Sequence, residues 1–418
     1  MKINSNIVVA VAVLFIASSC MHMQSQKPVK DAKKEKVHFT GEPFEASQKK
    51  ALLGDGQAQT LVGFCYYTGV AVQVGKKGDE QQLVKEYLDG KGIRQDYAEA
   101  VKWFKLAAEQ GYAEAEWLLA NCYLKGDGVQ KDTQEALKWY KLAAEQGLAE
   151  AQDDLGTCYM KGEGVQKNSK EAEKWFRLAA EQGNAGAQFH LSQCYLKPNC
   201  SERDLQEAFK WFKLSAEQGC SSAQAPLGIC YYHGQGGVRR NFQEAVKYFR
   251  RGAESGDAMA QAMLGKCIAE GSGVKKDPQE GVKWIRRAAE QGSRKGEFLL
   301  GDCYRMGIGV QQDQAEAVKW YKLSAEKGYP DAQTNLGSAY FCGLGVPKDP
   351  QEAVKWFKLA AEQGFATAQF NLATCYANGM GVPKDQKEAN RLLQLVLSSN
   401  GNEEIKEAIK LSFPKVDK

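Results

Sequence analysis

DTQEALKWYKLAAEQG, Asp132 to Gly147, recurs in near copies along most of this 418-residue chain. The closing glycine returns as Gly111, Gly147, Gly183, Gly219, Gly256, Gly292, Gly328 and Gly364, in steps of 36 residues with one step of 37. A fixed period in this range is the signature of a solenoid built from one supersecondary unit.

Each copy opens on Asp or Asn with Glu three residues later: Asp96 and Glu99, Asp132 and Glu135, Asn168 and Glu171, Asp204 and Glu207, Asn241 and Glu244. Asp277 and Glu280, Asp313 and Glu316, Asp349 and Glu352, and Asp385 and Glu388 continue the series. The spacing predicts reciprocal capping boxes, in which the cap side chain accepts an orphan amide and the Glu reaches back to the cap's own amide. The closing glycine predicts a left-handed stop. Between these signals Ala136, Trp139, Tyr140, Ala143 and Ala144 form one broad apolar helical face, and the recurring tryptophan is expected in the core.

The other half of the repeat, AEAQDDLGTCYMKGEGV from Ala149 to Val165, places Ala151, Leu155, Cys158 and Tyr159 on a second helical stripe. Gly156 on that stripe admits close approach of a neighbouring helix. Each repeat therefore reads as two antiparallel helices, A and B, joined by a Gly-x-Gly-Val turn.

The pattern A-x-x-x-L-G-x-x-Y, then G-x-G-V-x-x-D, then E-A-x-x-W-x-x-x-A-A-E-x-G resembles the Sel-1-like repeat family, related to the tetratricopeptide repeats. The resemblance spans about residues 76 to 400. It implies an all-α fold, an α/α solenoid wound as a right-handed superhelix of about nine two-helix repeats with capping helices. It also implies a part in protein assembly or signalling, although the shared residues are packing residues and say little about a partner.

With 43% hydrophobic and 25% charged residues, the composition suits one extended repeat domain. A net charge of +4, with Lys and Glu alternating on the exposed faces of the B helices, gives no sign of a nucleic-acid groove. The N-terminal residues differ in kind. Lys2 precedes the apolar run Ile7 to Ile16, and Ala17-Ser18-Ser19 leads into Cys20. This predicts a signal peptide over 1–19 and, by likeness to the bacterial lipobox, lipidation of Cys20. Residues 20–43, rich in lysine and poor in large apolar groups, read as a disordered tether. Residues 44–74 read as an atypical N-terminal cap, 75–400 as the solenoid, and 401–418 as a capping helix and tail.

Eight of the twelve cysteines, Cys65, Cys122, Cys158, Cys194, Cys230, Cys267, Cys303 and Cys375, share one helix A position, with Ala339 there once. Equivalent positions on stacked helices lie about 9 to 10 Å apart, too far for a disulfide. Reduced, shielded thiols in an apolar slot are expected. His190, Cys194, Cys230 and His233 are legitimate zinc ligands by type. The repeat already accounts for both cysteines, so no metal and no cofactor is expected. Ser47-x-x-Lys50 lacks the companion motifs of serine acyl enzymes, and the Gly-x-Gly-Val turns lack the strand that a phosphate loop requires. No enzyme is indicated.

What varies between copies is the helix A face opposite the core. Trp117, Asn121, Phe189, Gln193, Phe298, Asp302, Phe341 and Phe370 stand there, on what analogy with related solenoids makes the concave surface. Aromatics on an otherwise polar stripe are either anchors for a partner or lateral packing between adjacent A helices. The expected function is a monomeric, membrane-tethered scaffold of the bacterial envelope that binds a protein or peptide along this face. The alternatives are an envelope hydrolase acting on cell-wall material or a purely structural envelope protein, and a secreted or periplasmic location without the lipid anchor.

Overall fold

The computed structural model describes residues 44–69, 94–197, 200–398 and 403–413, without side-chain detail at 44–47. The leader, Cys20, the tether and the repeat boundary expected at residue 75 lie outside the described residues. The chain divides into two compact units, residues 1–194 and 195–418. The described residues form helices joined by turns.

Unit 1 contains α1 (Phe44–Leu52), α2 (Gly56–Thr68), α3 (Tyr97–Ala108), α4 (Ala113–Lys125), α5 (Thr133–Glu145), α6 (Ala149–Lys161), α7 (Ser169–Glu181) and most of α8 (Ala185–Tyr195). Unit 2 contains α9 (Glu202–Glu217), α10 (Ser221–His233), α11 (Phe242–Glu254), α12 (Ala258–Glu270), α13 (Pro278–Glu290), α14 (Arg294–Met306), α15 (Gln314–Glu326), α16 (Pro330–Cys342), α17 (Pro350–Glu362), α18 (Ala366–Asn378), α19 (Gln386–Ser398) and α20 (Glu403–Ser412). From α2 to α18 the even-numbered helices are A helices, and from α3 to α19 the odd-numbered ones are B helices. Within each unit a helix packs on the next in sequence, as an α/α solenoid requires. The partner of the B helix α3 is α2, so residues 69–96 separate the first pair, whereas seven residues, 126–132, separate α4 from α5.

The caps form, but in only one case as a box. Asp132 accepts amides from Gln134 and Glu135, both at 3.0 Å, and Asp96, Asn168, Asn241, Asp277, Asp313, Asp349 and Asp385 do likewise at their own helices. The expected return bond from Glu is replaced by a tertiary one. The cap amide of Asp132 donates to the carbonyl of Tyr123 on the preceding A helix at 2.9 Å, and Asn168 to Tyr159 and Asp313 to Tyr304 repeat it. Glu135 instead pairs with Lys138 on the surface at 2.6 Å. The reciprocal box occurs at α9, one turn earlier than expected: Ser201 is the cap and Asp204 closes the box, which lengthens this B helix to 16 residues.

The periodic tryptophan is core in part: Trp103, Trp211 and Tyr248, which replaces it once, are buried. Trp139, Trp175, Trp320 and Trp356 are half-buried at the margin of the core. The following residue fills the centre: Phe104, Tyr140, Phe176, Phe212, Phe249, Ile285, Tyr321 and Phe357 are all buried. Helical geometry places the two about 100° apart, and it is the second that faces helix A. A Cβ added to Gly156 would lie 2.6 Å from Phe176, and one on Gly337 equally close to Phe357. The helix A glycine is thus the hole into which the next B helix inserts its ring.

Buried glutamines tie the layers together. Gln152 on α6 donates to the Ala144 carbonyl at the end of α5 (3.1 Å), and its carbonyl accepts from Gln182 after α7 (2.8 Å). Gln261 and Gln333 repeat both bonds in unit 2. At one rung Glu297 takes the glutamine's place and Lys327 its partner's, giving an ion pair. Each glutamine rung gives a buried helix-end carbonyl a donor, which the carboxylate of Glu297 cannot do.

Candidate functional site

With the repeat-invariant residues committed to packing, the varying face of the A helices is where the copies differ. Its two units carry different chemistry.

In unit 1 the face is built by α4, α6 and α8. Asp153 and Asp154 stand side by side on α6, at positions where the other A helices carry no carboxylate. The Trp117 indole on α4 donates to Asp154 Oδ2 at 2.6 Å, and His190 Nδ1 on α8 meets Asp153 Oδ1 at 2.7 Å. Burial pushes the Asp154 carboxyl up to about 7, with the neighbouring Asp153 adding to the rise against the indole hydrogen bond. Burial opposes the charge on His190, but its hydrogen bond and attraction to Asp153 outweigh that and lift its pKa. Burial also raises Glu150, with Glu114 and Asp153 contributing. On the B helix α5 the Tyr140 hydroxyl is fully buried and makes no hydrogen bond.

In unit 2 the corresponding face is cationic and aromatic. Lys295 donates to the Tyr329 hydroxyl at 2.8 Å and lies 5.3 Å from the ring centres of both Phe298 and Tyr329. Burial pulls its ammonium below the ordinary value. Lys266 lies over Tyr232 at 5.4 Å. Asp302 accepts from the Tyr321 hydroxyl at 2.7 Å and from Arg305 at 3.1 Å.

The residues expected on this face divide by burial. Trp117, only 4% exposed, and Phe298, at 9%, are covered by neighbouring helices. Asn121 is buried too and donates to the Trp117 carbonyl at 3.0 Å. Trp117, bonded to Asp154 on the next A helix, and Phe298, packed on Tyr329 at the start of the next, form the lateral packing that spacing alone did not distinguish from an open stripe. Gln193 is exposed, and Phe189, Asp302, Phe341 and Phe370 are half-buried. Phe370 meets Phe413 edge-on at 6.4 Å, so the segment after α20 shields part of it. Cys20 lies outside the described residues.

Sequence reasoning passed over Asp154 and Lys295 and read Tyr140 only as part of an apolar face. The available signal was substitution within the register: a Tyr where most copies have Phe, and a carboxylate where most have an apolar or neutral side chain. Among the described residues no group of three or more His, Cys, Asp and Glu side chains is placed to hold a metal. No helix among them is long and apolar enough to cross a membrane.

A family model described as Sel1 repeat matches ten consecutive segments, 56–82, 85–112, 113–148, 149–184, 185–220, 221–257, 258–293, 295–329, 330–365 and 366–395. A solved structure described as a protective antigen present in uropathogenic Escherichia coli strains and displaying an SLR fold is 31% identical. The likeness covers 89% of this chain and 90% of that one, with a TM-score of 0.52. A Sel1 repeat protein from Oxalobacter formigenes is 30% identical over 69% of this chain and 98% of its own, with a TM-score of 0.42. No curated protein matches the sequence.

Proposed function

We propose that this chain, which belongs to the Sel1 repeat family, is a non-catalytic scaffold that holds an extended protein or peptide partner along its A-helix face. The observation that carries this reading is the division of labour within the repeat. Residues that recur are committed to caps, glycine holes, aromatic plugs and glutamine rungs. Those that do not recur stand at equivalent A-helix positions with side chains partly open to solvent. A partner lying across successive repeats meets a different side chain at each step, which is how a solenoid acquires specificity without changing its fold.

The same reading places the scaffold at the bacterial envelope. Ala17-Ser18-Ser19-Cys20 supports lipidation at Cys20, and several acyl chains at about 0.8 kcal/mol per buried methylene anchor a protein durably. The lysine-rich segment to residue 43 would then act as a spacer.

The test is crosslinking in native membranes followed by identification of the captured protein. Phe189→Ala and Gln193→Ala should reduce capture of one specific partner with the melting temperature nearly unchanged, equivalent to a loss of about 1 to 3 kcal/mol in binding at a hot spot. Equal capture by wild type and both variants would overturn the binding face. Cys20→Ala should move the chain from the membrane to the soluble fraction, and unchanged partitioning would remove the anchor from the proposal.

A further inference from the structure

We propose that Glu116 is a proton-operated latch in unit 1: it closes the rung between the ends of α3 and α5 while it carries a proton, and loosens that rung when it ionises. The first observation is the repeat register. Seven of the nine A helices place a glutamine at their fourth residue, whereas α4 and α14 place Glu116 and Glu297 there. The glutamine uses both halves of its amide. Gln152 donates to the Ala144 carbonyl at 3.1 Å and accepts from Gln182 at 2.8 Å, and Gln59 does the same with Ala51 (3.0 Å) and Gln110 (2.8 Å). A rung therefore needs a donor and an acceptor on one side chain. An ionised carboxylate has acceptors alone, but a protonated one has an O–H and a carbonyl, the pair that an amide offers.

The second observation is that the two glutamates meet different partners. Glu297 faces Lys327, whose ammonium donates both to it and to the Gly292 carbonyl at 2.9 Å, so there a cation supplies the donors that the carboxylate lacks. Glu116 is only 3% exposed and faces a neutral amide, that of Gln146, which donates to its Oε2 at 2.8 Å. The register sets its other oxygen towards the Ala108 carbonyl, which already accepts the Gly111 amide at 2.9 Å. Ionised, that oxygen turns lone pairs on lone pairs in a site closed to water. Protonated, it donates as Gln152 does.

The third observation is the electrostatic setting. Burial raises the Glu116 carboxyl above its ordinary value, and the hydrogen bond from Gln146 opposes the rise without cancelling it. The charged residues flanking the rung are Lys105 and Glu109 at the end of α3, Glu114 on α4, Lys141 and Glu145 on α5 and Glu150 on α6, with Tyr112 before α4. None of them contributes to the rise. The folded chain thus keeps a proton that the unfolded chain gives up in the ordinary carboxylate range. The latch is closed below that range and opens as pH climbs through the raised value. Trp117 follows directly on α4, so the same proton sets how firmly that part of the A-helix face is held.

The experiment is hydrogen exchange followed by mass spectrometry on the full chain, between about pH 4 and about pH 8, corrected for intrinsic exchange rates. Wild type is compared with Glu116→Gln at each pH, so that Glu150 and Asp154, present in both, cancel. Peptides covering the end of α3 and the first turn of α4 should be protected equally in the two proteins at the acid limit. At the alkaline limit they should exchange at least about five-fold faster in wild type. Gln146→Lys rebuilds in unit 1 the pairing of Glu297 with Lys327, and should reverse the profile, with protection gained as pH rises. Circular dichroism melts confirm that both variants are folded. A difference between wild type and Glu116→Gln that stays constant across the range would overturn the latch. So would a Gln146→Lys profile that loses protection with rising pH as wild type does.

Discussion

Asp154 makes the stability of unit 1 depend on pH. An unfolded Asp titrates near about 3.9, whereas burial holds this one at about 7. Between those values the folded chain keeps a proton that the unfolded chain has lost, so stability falls as pH rises through the window and the cost is complete above about 7. Asp154→Asn retains an acceptor for the Trp117 indole and removes the charge. It should therefore stabilise the protein by about 1 to 3 kcal/mol at pH 8 and by little at pH 4, measured by urea unfolding at both. An equal effect at the two pH values would show that ionisation is not the cause. The thiols obey the same desolvation rule. Burial pushes Cys122, Cys158, Cys267 and Cys303 up to about 12, and Cys230 and Cys375 up to about 11. Iodoacetamide at pH 8 should label exposed Cys342 promptly and these six only after denaturation, as read by peptide mass spectrometry. Native labelling of Cys122 or Cys158 at the rate of Cys342 would contradict the packing.

At the scale of the element, glycines that look alike in sequence do different work. Gly147 ends α5 at φ +93°, with nothing within 4 Å of an added Cβ, so it answers only to backbone conformation. Gly164, in the turn after α6, has φ +69°, and its Cβ would lie 2.3 Å from the Thr133 carbonyl oxygen at the start of α5. The turn of one repeat thus rests directly on the first turn of the previous B helix. Gly147→Ala should cost about 1 to 2 kcal/mol from left-handed strain alone. Gly164→Ala adds a backbone clash that no side-chain rotation relieves, and should cost at least about 1 kcal/mol more. Thermal melts of the two variants test the ordering, and a Gly147→Ala variant as damaged as Gly164→Ala would remove the distinction.

Across the whole molecule, each described helix relies on its near neighbours within its own unit. Stability in such an array is a sum of local terms and neighbour interfaces, so ends open before middles. The helix α20 buries Ile409 alone, while α14, packed on α12, α13 and α15, buries seven residues. Hydrogen exchange followed by mass spectrometry should show α20 exchanging earliest among the helices of unit 2 and α14 among the latest. Uniform exchange along unit 2 would mean that it unfolds as a single block.

Period, helix pairing, left-handed stops and the glycine hole for the neighbouring ring were legible in the chain, because they depend on contacts within about one repeat and recur often enough to be read. The reach of a side chain across the stack was not. Asp132 to Glu135 spells a capping box, yet the cap amide goes to Tyr123, since a tertiary acceptor at 2.9 Å takes the place of the local one. Trp139 and Tyr140 share one apolar face in the sequence, and Tyr140 lies deeper, because the crossing of A on B selects which of two consecutive aromatics points inward. Trp117 and Phe298 share a register with Phe189 and Phe370, and only the packing of adjacent A helices covers the first pair and leaves the second partly open. Periodicity determined the repeat. Burial, which depends on all neighbours at once, determined where that repeat is left open to solvent.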